Sequence, residues 1–230
     1  MLYKTLTGST LLLTALAAAS PAMATQAGDI LARARIINIS PDVSSGQILL
    51  AGTSTPWPSA GSGIDVDNKV TLDIDFTYFV TDNFGIELLL DISSKHDIQG
   101  TGSAAVGKIG EVTVLPPALI AQYHFSPSSN VRPYAGLGIN YTFFFSEETT
   151  PALTGALAAT SSDVAVDDSF GLVAQAGVDI DIDSQWYINL DLKYIALDTT
   201  ATVKANGATA ATVDFDLNPW VIGAGIGMRF

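Results

Sequence analysis

The residues from 69 to 80, KVTLDIDFTYFV, alternate between polar and apolar side chains. The apolar members are Val70, Leu72, Ile74, Phe76, Tyr78 and Val80. Successive side chains of a β-strand point to opposite faces, so this period of two predicts a strand whose two faces meet different surroundings. The alternation resumes after the short turn TDNF, which predicts an antiparallel hairpin. The rest of the chain must show what the apolar face contacts.

Charged residues are scarce in this chain. Only 14% of its 230 residues are charged and 48% are hydrophobic, whereas a soluble domain has about 25% charged residues. The charge that is present is acidic, with 10 basic against 23 acidic residues. This balance argues against a nucleic-acid partner, because phosphates require a basic surface. No segment has the composition of a linker between two cores, so we predict a single domain.

Residues 1–24 have the features of a secretory signal peptide. Lys4 is followed by the apolar segment LLLTALAAA and by the small-residue site Ala22-Met23-Ala24, which predicts cleavage before Thr25. A membrane anchor is the alternative, but the apolar segment is shorter than the roughly 20 residues that a spanning helix needs. Removing this one lysine takes the formal charge from -13 to -14. The predicted mature domain, residues 25–230, contains no cysteine, so its stability does not come from disulfides.

Alternating runs recur eight times after residue 24. They lie near 30–40, 66–80, 85–95, 109–125, 131–145, 169–181, 186–197 and 213–230. The turns near 82, 127 and 183 are short, whereas the connections are long and rich in small residues at 41–65, 96–108, 146–168 and 198–212. Short turns at one end and long loops at the other are typical of outer-membrane barrels. We therefore predict an all-β fold, an eight-stranded antiparallel transmembrane β-barrel with short periplasmic turns and long extracellular loops.

A soluble eight-stranded barrel is the alternative, and it would point its apolar side chains inward. The end of the chain, WVIGAGIGMRF, favours the membrane. Large apolar residues share one parity there and glycines with an arginine share the other, which suits lipid outside and a narrow interior. Aromatic residues also fall where two interfacial girdles require them. These are Tyr78, Tyr123, Phe125, Trp186 and Phe230 at the short-turn end, and Tyr141, Phe143, Phe145, Phe170 and Trp220 at the loop end.

The inward parity divides into a charged half and an apolar half. Toward the short turns, charges of both signs are expected to pair and fill the lumen, because unpaired buried charge is costly. This predicted lumen plug consists of Arg33, Arg35, Asp75, Glu87, Asp91, Arg132, Asp179, Asp191 and Arg229. Toward the long loops the inward residues predict a hydrophobic, substrate-binding upper lumen. They are Ile37, Ile39, Val112, Val114, Phe144, Ile195, Leu197, Phe215 and Leu217, and simple packing among them is the alternative.

Pro116 and Pro117 interrupt the fourth run, VTVLPPALIAQYHF. Proline donates no backbone hydrogen bond, so two in succession weaken pairing with a neighbouring strand and open a gap in a barrel wall. Because a plug would block the lumen below, we hypothesise that an apolar solute enters from outside, rests above the plug and leaves sideways through a lateral opening at these prolines. A harmless bulge is the alternative.

Several stretches, taken in order, resemble the OmpW family of outer membrane proteins. They are AGDILARAR, LDIDFTYFVTDNFGIELL, LPPALIAQYHF, RPYAGLGINYTFFF, DSFGLVAQAGVD, LDTTATV and LNPWVIGAGIGMRF. The resemblance covers nearly all of the predicted mature chain. It implies an eight-stranded barrel in the outer membrane of a Gram-negative bacterium, related to alkane-uptake barrels, with a channel for small hydrophobic molecules and lateral release into the bilayer. It also implies, for some members, reception of phage or bacteriocin.

One position departs from the pattern of the family. Some members have a bulky aromatic residue in the channel just before DTTA, where this chain has Lys193 within DLKYIALDTT. A lysine there would extend the predicted plug upward and narrow or close the hydrophobic upper lumen. The alternative function is therefore a closed structural or receptor barrel, whose extracellular loops contact phage, bacteriocin or host. The partners expected of such a barrel are outer-membrane lipid and lipopolysaccharide, small hydrophobic molecules, and periplasmic chaperones with the barrel-assembly machinery during insertion.

Catalytic and metal sites are not expected. The two histidines, His96 and His124, have no obvious partner group, because Asp97 and His96 would point to opposite faces of a strand. The chain has no cysteine and no paired histidines, and its acidic residues are too scattered for a calcium loop. The glycines in GLG and GAGIG do not lead into a helix as a dinucleotide site requires. We predict a protein that is not an enzyme, with no catalytic residue, cofactor or metal.

Overall fold

The computed structural model describes residues 24–125 and 129–230. The predicted signal peptide, except for Ala24, and part of the turn near 127 lie outside these residues. The strands are β1 (Ile30–Ser40), β2 (Ser44–Ser45), β3 (Leu49–Leu50), β4 (Ser62–Val66), β5 (Lys69–Phe79), β6 (Phe84–Asp91), β7 (Ser94–Gly102), β8 (Lys108–Leu115), β9 (Ala118–His124), β10 (Val131–Thr149), β11 (Ser162–Val166), β12 (Ser169–Asp181), β13 (Trp186–Ala196), β14 (Asp198–Ala205), β15 (Ala208–Asp216) and β16 (Trp220–Arg229). A single short helix, α1 (Pro151–Ala156), is found in this described part. It is too short to cross a membrane, and no longer apolar helix occurs in the described ranges.

Eight of the strands close into an antiparallel barrel. The wall runs in the order β1, β5, β6, β9, β10, β12, β13 and β16, and β16 returns to pair with β1. Closure pairs each wall strand on both sides and leaves no long open edge in the wall. The predicted eight-stranded antiparallel barrel is confirmed.

The strand register places polar and glycine residues together on the inner face of the wall and large apolar residues together on its outer face. Arg33 pairs with Asp75 on β5 and Gly227 on β16, while the next residue, Ala34, pairs with Ile74 and Ile226. A slip of one residue would exchange the two sets, so the contrast between them fixes the register. The large apolar side chains of the outward set are exposed, and all ten predicted girdle aromatics are among them.

The interior of the barrel is narrow. A Cβ atom placed on Gly227 would overlap the ring of Tyr187, and one on Gly225 would overlap the backbone of Ala34 and Arg35. Glycines of the inward parity therefore provide the space into which long side chains from neighbouring strands extend.

The long connections between the predicted runs contain strands and a short helix rather than only irregular loops. They contain β2 to β4, most of β7, α1, β11, β14 and the start of β15. β11, β14, β15 and β2 form a second sheet, while β7 and β8 extend the barrel wall upward. We call β2, β3, β4, β7, β8, α1, β11, β14 and β15 together the cap. Residues 198–212 were predicted as a loop from their Ala- and Thr-rich composition, but the stretch TATV has the period of two of a strand and lies in β14.

Three of the predicted runs are divided. The run 85–95 is split into β6 and β7, the run 109–125 is split by the prolines into β8 and β9, and the run 213–230 is split into β15 and β16. In all three cases the break lies where the chain passes between the membrane wall and the cap, so the eight predicted runs mark the barrel but not its upper boundary.

Apolar side chains fill the lumen at both ends, with a polar layer between them. Leu31, Phe79 and Tyr187 form a small buried cluster at the periplasmic end. A large buried cluster extends from Ile48 and Ile64 in the cap to Ile120 and Val173 in the barrel. Most of the charged side chains lie between these clusters, so the core is polar at its centre, while Arg132 and Arg229 lie at the level of the periplasmic cluster.

Candidate functional site

Arg33 lies at the centre of the buried charge network. Its Nη1 donates to Asp75 at 2.9 Å and its Nη2 donates to Asp179 at 3.1 Å. Its guanidinium carbon also lies 5.2 Å from the ring centre of Tyr134 and 5.8 Å from that of Tyr187. The Arg33 and Asp75 side chains have no exposed surface. Desolvated charges of this kind are stable only when paired, which they are here.

Arg35 forms the next layer toward the cap. Its Nη2 lies 2.9 Å from Asp73 and 2.6 Å from Asp75, and its Nη1 lies 3.5 Å from Asp191. Lys193 pairs with Asp191 and lies 3.9 Å from Asp73. The ammonium of Lys193 is therefore held downward in the charge network.

Glu87 and the periplasmic-end arginines complete this network. Glu87 lies 3.4 Å from Arg33 and accepts from Gln122 at 2.5 Å. Arg132 pairs with Asp181, whose other oxygen lies 3.8 Å from Arg229. Nine of the ten predicted plug residues thus make ion pairs inside the lumen.

Further residues bond within the network and were not among the predicted plug residues, including Asp73, Thr77, Tyr134, Gln175 and Asp181. All five have the inward parity of their strands, so strict alternation could have found them. Tyr134 was assigned to neither face from the sequence, and its hydroxyl donates to Asp191 at 2.7 Å.

A cavity of about 50 Å³, which we call the upper chamber, lies above the network. Five of the nine predicted upper-lumen residues line it, namely Ile39, Val114, Ile195, Leu197 and Leu217. The other four, Ile37, Val112, Phe144 and Phe215, are buried without lining it. Polar groups of Asp91, Ser94, His96 and Thr142 also line the chamber, so its wall is mixed rather than wholly apolar.

A second cavity, which we call the cap cavity, has a volume of about 170 Å³. Its wall is apolar and comes from the cap, including Ile48, Trp57, Ile98, Leu153 and Val213. None of the predicted upper-lumen residues lines it. Apolar residues of both cavities belong to one continuous buried cluster. Sequence analysis missed the cap cavity because its residues come from segments assigned to loops.

The barrel wall is interrupted at the level of the upper chamber. The ladder between β6 and β9 ends at Leu89 opposite Ala118, and pairing between β7 and β8 begins at Ser94 opposite Val114. Between these two pairs, residues 90–93 form no ladder with residues 115–117, and we call this break the wall gap.

Pro116 and Pro117 lie on one side of the wall gap. Pro116 also lines the upper chamber. On the opposite side, the wall is kept intact because Pro117 accepts hydrogen bonds from the backbone of Tyr141 at 3.1 Å and from Asn140 at 3.0 Å. The prolines therefore weaken one of the two interfaces of their strand and leave the other joined.

His96 has partners that sequence analysis did not expect. Its Nε2 lies 3.0 Å from Ser94 Oγ, while its Nδ1 lies 3.1 Å from the main-chain oxygen of Asp67 and 3.6 Å from the Asp67 carboxylate. The prediction that neither histidine has an obvious partner is therefore wrong for His96. Asp67 is 29 residues away in sequence, so only the fold brings it close. Burial lowers the pKa of His96, against the opposing effect of Asp67. A neutral imidazole therefore joins β7 to the segment before β5.

These groups occur in the order of a Ser-His-Asp triad, but acyl transfer also needs donors for the oxyanion. The described contacts of Ser94 and His96 provide no such pair. His124 is instead packed between Phe79 and Tyr134, with ring centres at 4.8 and 5.0 Å. Within the described ranges, no three metal-ligating side chains come together.

The sequence matches the model of the OmpW family over residues 26–230. The chain belongs to the OmpW family. Outer membrane protein W of Vibrio cholerae is 36% identical over 214 residues, which are 92% of this chain and 93% of that protein. The crystal structure of the outer membrane protein OprG from Pseudomonas aeruginosa matches with a TM-score of 0.80 at 32% identity, covering 90% of this chain and 98% of OprG. The dibenzothiophene metabolism operon protein PahQ of Pseudomonas aeruginosa is 25% identical over 198 residues, 86% of this chain and 87% of PahQ.

This OmpW-family chain is an outer-membrane β-barrel, and the predicted family and location are confirmed. Its exposed apolar belt contacts the lipid of that membrane. The matched relatives are outer-membrane barrel proteins, and the lack of enzymatic activity stays a prediction.

Proposed function

We propose that this barrel is a channel for the passive uptake of small hydrophobic molecules, which enter from outside and leave sideways into the membrane. The observation that carries the proposal is the position of the wall gap. It opens beside the upper chamber, above the charge network and below a continuous apolar cluster. An apolar path therefore has an entrance, a closed lower end and a lateral exit.

The entrance is the cap cavity. An apolar cavity of about 150 Å³ is large enough to bind benzene, and the cap cavity measures about 170 Å³. The relative PahQ is named for an operon of dibenzothiophene metabolism. Dibenzothiophene is an apolar aromatic compound, which supports a solute of this class. Such a solute gains free energy by leaving water for the cap.

The lower end of the path is blocked by the charge network. Moving an apolar solute past Arg33 and Arg35 would separate buried ion pairs, which is strongly unfavourable. Lys193 supports an open chamber rather than a closed one, because its ammonium pairs with Asp191 and the residue lines neither cavity. The solute must leave by another route.

The wall gap is a suitable exit because of its prolines. An unpaired N–H group in hydrocarbon costs several kcal/mol, on the order of the desolvation of an amide. Pro116 and Pro117 have no N–H group. Two backbone donors that other residues would leave unsatisfied at this side of the gap are therefore absent. Proline thus makes a lateral opening compatible with the membrane.

A closed receptor barrel is the second candidate, with cap segments that contact phage, bacteriocin or host. The observation in its favour is the volume of the upper chamber, about 50 Å³, which holds only part of a hydrocarbon without expansion. Lipopolysaccharide contact, and handling by periplasmic chaperones and the barrel-assembly machinery, are proposed for either function.

The test compares the initial uptake rates of a sparingly soluble hydrocarbon and a small polar sugar in a porin-poor host with and without this chain. Faster hydrocarbon entry with unchanged sugar entry is expected. Leu217→Asp should abolish that gain, whereas Leu217→Met, which keeps an apolar side chain of similar volume, should preserve it. Pro117→Ala restores a donor at the gap and should slow hydrocarbon uptake. Unchanged hydrocarbon entry with the folded wild-type chain in the membrane would reject transport and favour the receptor.

A further inference from the structure

Asp91 differs from every other carboxylate buried near the charge network. Asp73, Asp75, Glu87, Asp179, Asp181 and Asp191 each lie within 4.0 Å of an arginine or lysine nitrogen. Asp91 forms no ion pair or hydrogen bond with any residue in 24–125 or 129–230, and its Oδ1 is buried without a partner. Only 9% of its surface is exposed, so bulk solvent reaches little of this carboxylate.

The surroundings of Asp91 add negative charge rather than neutralising it. Asp91 is directly opposite Asp73 in the β5–β6 register, and like charges in this position repel. The nearby cations are already used, because Arg35 pairs with Asp73 and Lys193 pairs with Asp191. Five buried or half-buried cations, Arg33, Arg35, Arg132, Lys193 and Arg229, thus face seven carboxylates when Asp91 is included.

Asp91 faces the upper chamber and belongs to the wall gap. It contributes to the chamber lining together with apolar side chains of Ile195, Leu197 and Leu217. The chamber therefore combines an unpaired acidic group at its lower end with an apolar wall. That combination matches a molecule with a cationic head and a hydrocarbon body.

We propose that Asp91 binds the ammonium head of a small apolar amine, so that the channel prefers alkylamines to alcohols and hydrocarbons of equal length. The inference rests on the proposed transport function. An ammonium group supplies the missing positive charge and three donors, whereas an alcohol supplies one donor and no charge. The first methylenes of the amine contact the apolar wall of the chamber, while the rest of the chain extends toward the apolar cluster of the cap.

The experiment uses competition in a porin-poor host that carries the full chain. Uptake of n-octane is measured while n-octylamine or n-octanol is added at increasing concentration. For the wild-type chain, octylamine should inhibit at a concentration about tenfold or more below that of octanol, as expected for a hydrogen bond to a charged group. Asp91→Asn should remove this difference and Asp91→Glu should keep it, with each inhibition expressed relative to the octane uptake of the same variant without inhibitor. Asp65→Asn, the same change at an exposed carboxylate, is the control.

Each outcome decides the inference. An equal preference for octylamine in the wild type and Asp91→Asn overturns it, and if Asp91→Asn takes up no octane, the titration described below decides the inference. If the wild-type chain takes up no octane, the transport proposal fails. The ammonium site is then decided separately, by titrating octylamine onto the protein in lipid bilayers and following the ¹³C signal of the Asp91 carboxyl group. A signal that moves with octylamine and not with octanol supports the site, and an unmoved signal rejects it.

Discussion

Removing the charge of Arg33 is expected to destabilise the barrel more than any loss of an exposed ion pair. Arg33→Met keeps a long side chain but leaves Asp75, Glu87 and Asp179 without the cation they share. Breaking a buried ion pair by removing one partner costs about 3–5 kcal/mol. We expect the free energy of unfolding to fall by at least this amount, because three carboxylates lose a partner at once.

The measurement is urea unfolding of the chain in lipid vesicles, followed by tryptophan fluorescence and by the gel mobility of unheated samples. Lys69→Met is the matched control, since Lys69 lies 3.7 Å from Asp67 and both side chains are about one-third exposed. A pair at this exposure is worth less than about 1 kcal/mol. Both variants lose one positive charge, but Arg33 is buried among three carboxylates and Lys69 is a partly exposed partner of one.

A double variant separates electrostatics from packing. In the double variant Arg33→Met with Asp179→Asn, one of the unpaired carboxylate charges is also removed. The free energy of unfolding should therefore fall by less than it does in Arg33→Met alone. If Arg33→Met lowers the free energy of unfolding by no more than Lys69→Met does, the view that the lumen charges hold the barrel together is refuted. A double variant no more stable than Arg33→Met would show that the cost comes from packing.

Two further predictions concern the cap and the lipid face. Burial lowers the pKa of His96 in the folded cap below its ordinary value of 6.5. Between these two pKa values the unfolded chain binds a proton that the folded cap does not bind. The stability of the cap should therefore be highest above pH 6.5 and fall as the pH drops from there toward the folded pKa. Hydrogen exchange of β7, corrected for its intrinsic pH dependence, measures this loss, and the reasoning fails if His96→Gln leaves it unchanged. Leu137→Arg on the lipid face should cost about 2–4 kcal/mol of unfolding free energy in bilayers, whereas Leu50→Arg, the same change at an exposed site on β3 of the cap, should cost less than about 0.5 kcal/mol. Equal costs at the two sites would argue against the placement of the membrane.

Alternation along single strands was enough to predict the barrel. It is a local property of the backbone, so the parity that places Arg33 inward and Ala34 outward can be read without knowing the neighbours. The same parity places Asp179 and Asp191 in the lumen, where the structure has them. Their roles in transport stay proposals.

Features that depend on distant pairing could not be read in this way. His96 is held by Asp67 across 29 residues, and no local pattern links them. The cap cavity draws Ile48, Leu153 and Val203 from three separate connections whose small residues suggested loops. The prolines predicted a weakened interface, but only the register shows which of the two neighbours of that strand is lost.

A barrel wall with a gap needs other contacts to hold its shape, and the charge network supplies them. Arg33 on β1 bonds to β5, β6 and β12, and Arg35 on the same strand bonds to β5 and β13. Two side chains of one strand therefore join five of the eight wall strands below the gap. A wholly apolar lumen filling would lack such directional bonds across the barrel. In the proposed transport function, the buried charges thus block the axial route and also hold the barrel together while the wall above them opens, so the plug and the lateral exit would be parts of one arrangement.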